Sequence, residues 1–205
     1  MNDITHYLSV RDQLHVGDVL VFHGTSPLSE GIEILSGGPS HSGIVTDTSS
    51  GCPDVVFCDS SRPIILNKKS QNGPASHLLG AELEGYDHNA GVTALILKPA
   101  IRASMNMSAF DDFISKCIGT VTYDVAGLFE FLLREVPILG VDEWQAEKSK
   151  VMYCSAFVIA CLTKAGILHN INWSKSRPQD LVEFGIYERA LPLMGNLKLK
   201  RFNSL

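Results

Sequence analysis

Short apolar runs bounded by glycine and polar turns fill the first half of the chain, and longer stretches with helical spacing fill the second. Gly17 and Asp18 form a turn that feeds a strand from Val19 to Phe22, ending at Gly24. Ser26 as N-cap, Pro27 at the first helical position and Gly37-Gly38 as the stop predict a short helix that delivers the chain to Ser40 and His41. "SGIVTD" and "VVFCDSS", joined by the turn "SSGCPD", predict a hairpin. "RPIILNKK" and "GVTALILKP" predict further strands, and the polar segment between them holds a helical stretch at "ASHLLGAELEGY".

Beyond Pro99 the period changes. "MSAFDDFISKCIG" has an apolar stripe at Phe110, Phe113, Ile114 and Cys117 and a stop at Gly119, and "YDVAGLFEFLLREV" runs into Pro137. The strongest helix is "YCSAFVIACLTKAGIL", where Cys154, Phe157, Val158, Cys161, Leu162 and Ala165 recur at i, i+3, i+4, i+7, i+8 and i+11, one buried face closed by Gly166. The polar stretch Leu139 to Val151 is expected on the surface. No internal repeat or linker breaks the chain, so residues 1–205 are expected to form one domain with its core at about 16–184.

Composition narrows the function classes. With 45% hydrophobic and 19% charged residues, the 205-residue chain has a globular balance. Its net charge of -5, with one basic cluster at Lys198, Lys200 and Arg201, leaves no electrostatic footprint for nucleic acid. No apolar run approaches the ~20 residues that span a bilayer, and "MNDITHYLSVRDQLHV" lacks the pattern of a signal peptide. The expectation is a cytoplasmic protein without an integral membrane segment. Five cysteines, an odd set without a C-x-x-C pair, argue against a disulfide framework and a structural zinc site. Neither metal nor organic cofactor is expected.

Reduced cysteines leave room for a nucleophile. Cys154 opens a helix, where free N–H groups and the helix dipole favour a thiolate and offer donors to an oxyanion. Cys161, two turns into the same helix, reads as core. A thiolate needs a base, and His41 is placed for that role by a glycine turn leading in and an apolar strand leading out. His6, His77, His88 and His169 read as surface residues, and His15 and His23 as intermediate. Asp59, on the strand expected beside that of His41, is the candidate for the other ring nitrogen; the competing reading is an Asp opening the "DSS" turn. Rivals are a binding module without catalysis and a metal site of His15, His23 and Asp18, whose H-x7-H spacing is not a usual ligand spacing.

The order "GDVLVFHG", "SPLSEGIEILSGGPSHSGIV", "YDVAGLFEF", "YCSAFVIACLTKAGIL", "SRPQDL" resembles the permuted NlpC-type papain-like cysteine hydrolases of the YiiX-like group, over roughly Val16 to Phe184. The resemblance implies an α+β, circularly permuted papain-like fold: a small antiparallel sheet or half-barrel packed against helices, with the histidine strand before the cysteine helix. It implies Cys154 as nucleophile, His41 as base, and Asp59 where the family usually carries a glutamate. Tyr123 is similar to the tyrosine that precedes the family's cysteine helix and is expected to line the substrate cleft, with Tyr153, immediately before Cys154, packed beside it; Tyr153 and Ser40 are also expected at the substrate. The implied substrate is a peptide or peptidoglycan-type amide, with acyl lipids or thioesters as the alternative. An intact cell wall would be reached by a cytoplasmic chain through lysis, phage delivery or a secretion system.

Overall fold

A computed structural model describes residues 3–24, 29–30, 33, 38–61, 72–86, 91–123, 152–173 and 176–195. Helix α1 (Thr5–Val10) and a 3-10 turn (Arg11–Gln13) precede β1 (Val19–His23), β2 (His41–Asp47), β3 (Val56–Ser61) and β4 (Gly73–Leu78). Then come α2 (Leu79–Gly85), β5 (Gly91–Leu97), α3 (Pro99–Ala103), α4 (Met107–Cys117), α5 (Cys154–Lys164), α6 (Pro178–Glu183) and β6 (Tyr187–Met194).

The strands form an antiparallel sheet in the order β4-β3-β2-β1-β5-β6. Period-two alternation sends the strand side chains into two cores. Val19, Val21, Ile44, Cys58, Leu95 and Leu97 pack with α4, α5 and α6 on one face. Leu20, Phe22, Phe57, Val92, Ala94 and Ile96 pack with Tyr7 of α1 and Leu79 and Leu83 of α2 on the other. Covered on both faces, β5 is buried at every position, which explains a sequence apolar throughout except for the buried Thr93. The mixed α+β class is as expected, with helices on both faces of the sheet.

Helix α5 is more enclosed than its spacing predicts. Every residue from Cys154 to Leu162 is buried, because β2 and β3 pack on one side of it and α4 and α6 on others. A helix buried all round needs no polar face. Asn106 caps α4 by accepting from Ala109 N at 3.1 Å, and the chain turns out of α4 and α5 at Gly119 (φ 75°) and Gly166 (φ 77°), as expected of glycine stops.

Some elements differ from the sequence pattern. "ASHLLGAELEGY" begins in strand: Ala75–Leu78 belong to β4 and pair with β3 before the helix starts at Leu79. The strand β6 was not foreseen; its Pro192 is tolerated because β6 lies at the sheet edge. Helices α1 and α3 were also not foreseen. The predicted strand "RPIILNKK", the helix "YDVAGLFEFLLREV", the loop Leu139 to Val151, the basic cluster and most of the helix after Ser26 lie outside the described residues; residues 29, 30 and 33 of that last helix are helical.

Asp18, in the turn before β1, is fully buried. Its carboxylate accepts from His15 N at 2.8 Å and Leu97 N at 2.9 Å and pairs with the Arg102 guanidinium. One side chain thus ties the start of β1, the end of β5 and α3. Burial pushes this carboxyl above its usual range, and the bonds to Leu97, His15 and Arg102 only partly offset it.

Candidate active site

His41 is the first residue of β2, at the end of the sheet where β1 finishes at His23 and β5 begins at Gly91. The antiparallel register sets Gly43 opposite Asp59, so His41, two residues earlier on the same face, is the diagonal neighbour of Asp59. His41 Nε2 lies 2.6 Å from Asp59 Oδ2. Gly43 keeps this corner open: a Cβ there would come within 2.8 Å of the Phe57 ring. The Phe22 ring, 5.4 Å from the imidazole, supports its other side.

The nucleophile candidate is positioned from the same strand. Ser60, next to Asp59 and facing the opposite side, donates to Met152 O at 2.7 Å. Met152 N donates to Thr122 O at 2.8 Å, and Ser155 Oγ to Ser176 O at 2.7 Å. These bonds pin the start of α5, where Tyr153 is extended and no side chain caps the helix. No side-chain cap therefore competes for the N–H groups of the first turn, which are the donors a helix start offers to negative charge.

Cys154 is buried and sits against His41 and Ser42. Burial by itself would raise its thiol, but the His41 charge, then the Ser42 N–H and hydroxyl, hold it below the usual cysteine range. Burial would likewise lower the His41 imidazole; the Cys154 and Asp59 charges overcome this and raise it well above the usual range. Asp59 is also desolvated, yet His41 and then His77 hold its carboxyl down at about 2. Each of these shifts runs in the direction that favours thiolate, imidazolium and carboxylate. With Nε2 on Asp59, the remaining ring nitrogen, Nδ1, is left to exchange a proton with the sulfur.

The other cysteines are unlike Cys154. Burial pushes the Cys58 thiol up to about 12 and the Cys117 thiol up to about 11, and Cys161 is raised well above its usual range. Ser42 is fully buried, and its hydroxyl has no nitrogen or oxygen partner. Ser42→Ala is therefore expected to leave stability within about 1 kcal/mol of wild type, since the one interaction lost is the weak one between the hydroxyl and the Cys154 sulfur. The same variant should raise the Cys154 thiol. Thermal denaturation and the pH dependence of thiol labelling check the two halves.

Tyr153 is buried and packs with Ala156 and the partly buried Tyr123, so both expected tyrosines adjoin the start of α5. Ser40 is buried, and its hydroxyl accepts from Gly24 N at 3.1 Å and donates to Phe22 O at 3.2 Å, tying β1 to the entry of β2. His15, His23 and Asp18 do not converge: Asp18 and His23 stand at opposite ends of β1, and His23 faces Glu33 at 3.5 Å. Among the described residues no group of three or more His, Cys, Asp or Glu is placed to hold a metal ion.

The sequence reading placed His77 on the surface; the structure corrects this. His77 is 36% exposed and its Nε2 lies 3.2 Å from Asp59 Oδ1. That approach is an ion-pair distance without hydrogen-bond alignment, and both atoms remain otherwise unpartnered. Reading "GPASHL" as a strand paired with β3 would have found it, because Phe57 is opposite His77 and Asp59 opposite Ala75. Tyr86 was also missed. Its ring is 5.5 Å from Phe22, and burial, helped by Glu82, Glu33, Asp59 and Cys154, raises its hydroxyl above the usual range.

A cavity of about 570 Å3 lies at the opposite end of the sheet, lined by residues that include Arg11, His15, Ser49, Cys52 and Asp54, and holds none of the Cys154 group. No helix among the described residues is long and apolar enough to cross a membrane. No family model matches the chain, and no curated protein matches it.

Proposed function

We propose that this chain is a cysteine hydrolase that opens an amide bond, of peptide or peptidoglycan type, through a covalent acyl-enzyme on a circularly permuted papain-like fold. The observation that carries the reading is the His41 ring, held by Asp59 at 2.6 Å and set against a cysteine at the start of a helix.

In this reading the Cys154 thiolate attacks the substrate carbonyl carbon. A C–S bond forms, and the carbonyl electron pair moves to oxygen, which faces the first-turn N–H groups of α5. Collapse expels the amine, which takes the proton from the His41 imidazolium. Neutral His41 then removes a proton from water as it attacks the thioester, and the acid leaves with the thiolate restored. Asp59 stays ionised and fixes the ring throughout.

The same steps open esters and thioesters, so the test uses all three substrate types. Intact mass spectrometry after brief mixing with small amide, ester and thioester panels is expected to show one acyl adduct, absent in Cys154→Ala. A reactive Cys154 that collects no adduct from any panel would overturn the hydrolase in favour of a binding module.

A further inference from the structure

Asp59 presents two oxygens and the base uses one. Oδ2 meets His41, whereas Oδ1 is buried without a hydrogen bond, and the charged group facing it is His77 at 3.2 Å. His77 is itself positioned by its strand. It lies opposite Phe57, whose ring is 5.5 Å away, and its pairing partner is two residues from Asp59. An unanchored carboxylate can turn about its side-chain torsion and leave the imidazole it orients.

We propose that His77 is a positioning residue that holds Asp59 in the orientation His41 requires, making one carboxylate the bridge between two imidazoles. This rests on the cysteine-hydrolase reading above. Among the described residues His77 is faced by Asp59 of β3, His41 of β2 and Glu82 of α2. Direct contact with the Asp59 carboxylate favours protonated His77, burial opposes it, the Asp59 and Glu82 charges add to the rise, and the His41 charge opposes it. The two rings therefore compete for Asp59, and by reciprocity each weakens the other's hold on a proton.

Two replacements separate anchoring from charge. His77→Gln keeps an N–H that can donate to Oδ1 but removes the competing charge. The His41 titration, followed by NMR of the imidazole ring, is expected to move up, with Cys154 alkylation at pH 7 within about twofold of wild type. His77→Ala removes the anchor. This variant also removes the competing charge, but the loss of the Asp59 contact outweighs that, so the His41 titration should move down and alkylation fall about tenfold, the usual scale for losing such an outer partner. Opposite movements in the two variants are what a packing role alone would not produce.

If wild-type Cys154 alkylates fast and both variants match it in rate and His41 titration, the positioning role is overturned and the hydrolase reading stands. Movement of His41 in the same direction in both variants, with a shared loss of thermal stability, also overturns it in favour of packing. A wild-type Cys154 no faster than a free thiol overturns the hydrolase reading and the positioning role together.

Discussion

Replacing His41 with alanine is expected to slow iodoacetamide labelling of Cys154 at pH 7 about a hundredfold, since each unit of thiol pKa changes the thiolate fraction tenfold. In the intact site the His41 charge lowers the thiol and the Cys154 and Asp59 charges raise the imidazole, so each group favours the charged form of the other. Without the ring, the largest remaining influence on the sulfur is burial, which favours the neutral thiol. The thiolate then becomes a minor species until the solution is alkaline. Peptide mass spectrometry over a pH series reads this directly, and a wild-type profile that coincides with His41→Ala would sink the pair. Asp59→Asn should fall between the two, because the amide keeps contact with the ring while the charge that stabilises imidazolium is lost.

The largest effect on stability is expected at Asp18, far from this chemistry. Asp18→Ala should lose roughly 3–5 kcal/mol of unfolding free energy, as when one partner of a buried ion pair is removed. The change leaves the Arg102 guanidinium without its carboxylate and the N–H groups of His15 and Leu97 without their acceptors. Asp18→Asn keeps one acceptor oxygen and should lose less. Chemical denaturation measures both, and a loss under about 1 kcal/mol for the alanine variant would show that Arg102 finds water or another partner.

The site was legible in the sequence where its determinants are local. A cysteine opening an apolar helix, a histidine opening a strand and an acid on the next strand follow from periods and turns, and the chain places all three together. His77 was hidden because its role depends on pairing between β3 and β4 across residues 62–71. "HLLGAELEG" carries helical propensity, whereas membership of a sheet is decided by a neighbour elsewhere in the chain. β6 escaped for a related reason: "YERALPLM" alternates weakly and contains a proline, and only its edge position makes it a strand. The full enclosure of α5 was beyond a single-helix pattern, since it needs layers on several sides.

The adjacent pair Asp59 and Ser60 has a consequence for biogenesis. One residue pairs with His41 and the next anchors the entry to α5, from opposite faces of a single strand. During synthesis His41 and Asp59 leave the ribosome long before Cys154, so the sulfur meets its imidazole only when α5 docks on β2 and β3. A partly unfolded chain, with α5 away from β2, therefore lacks the His41 charge that holds the Cys154 thiol down.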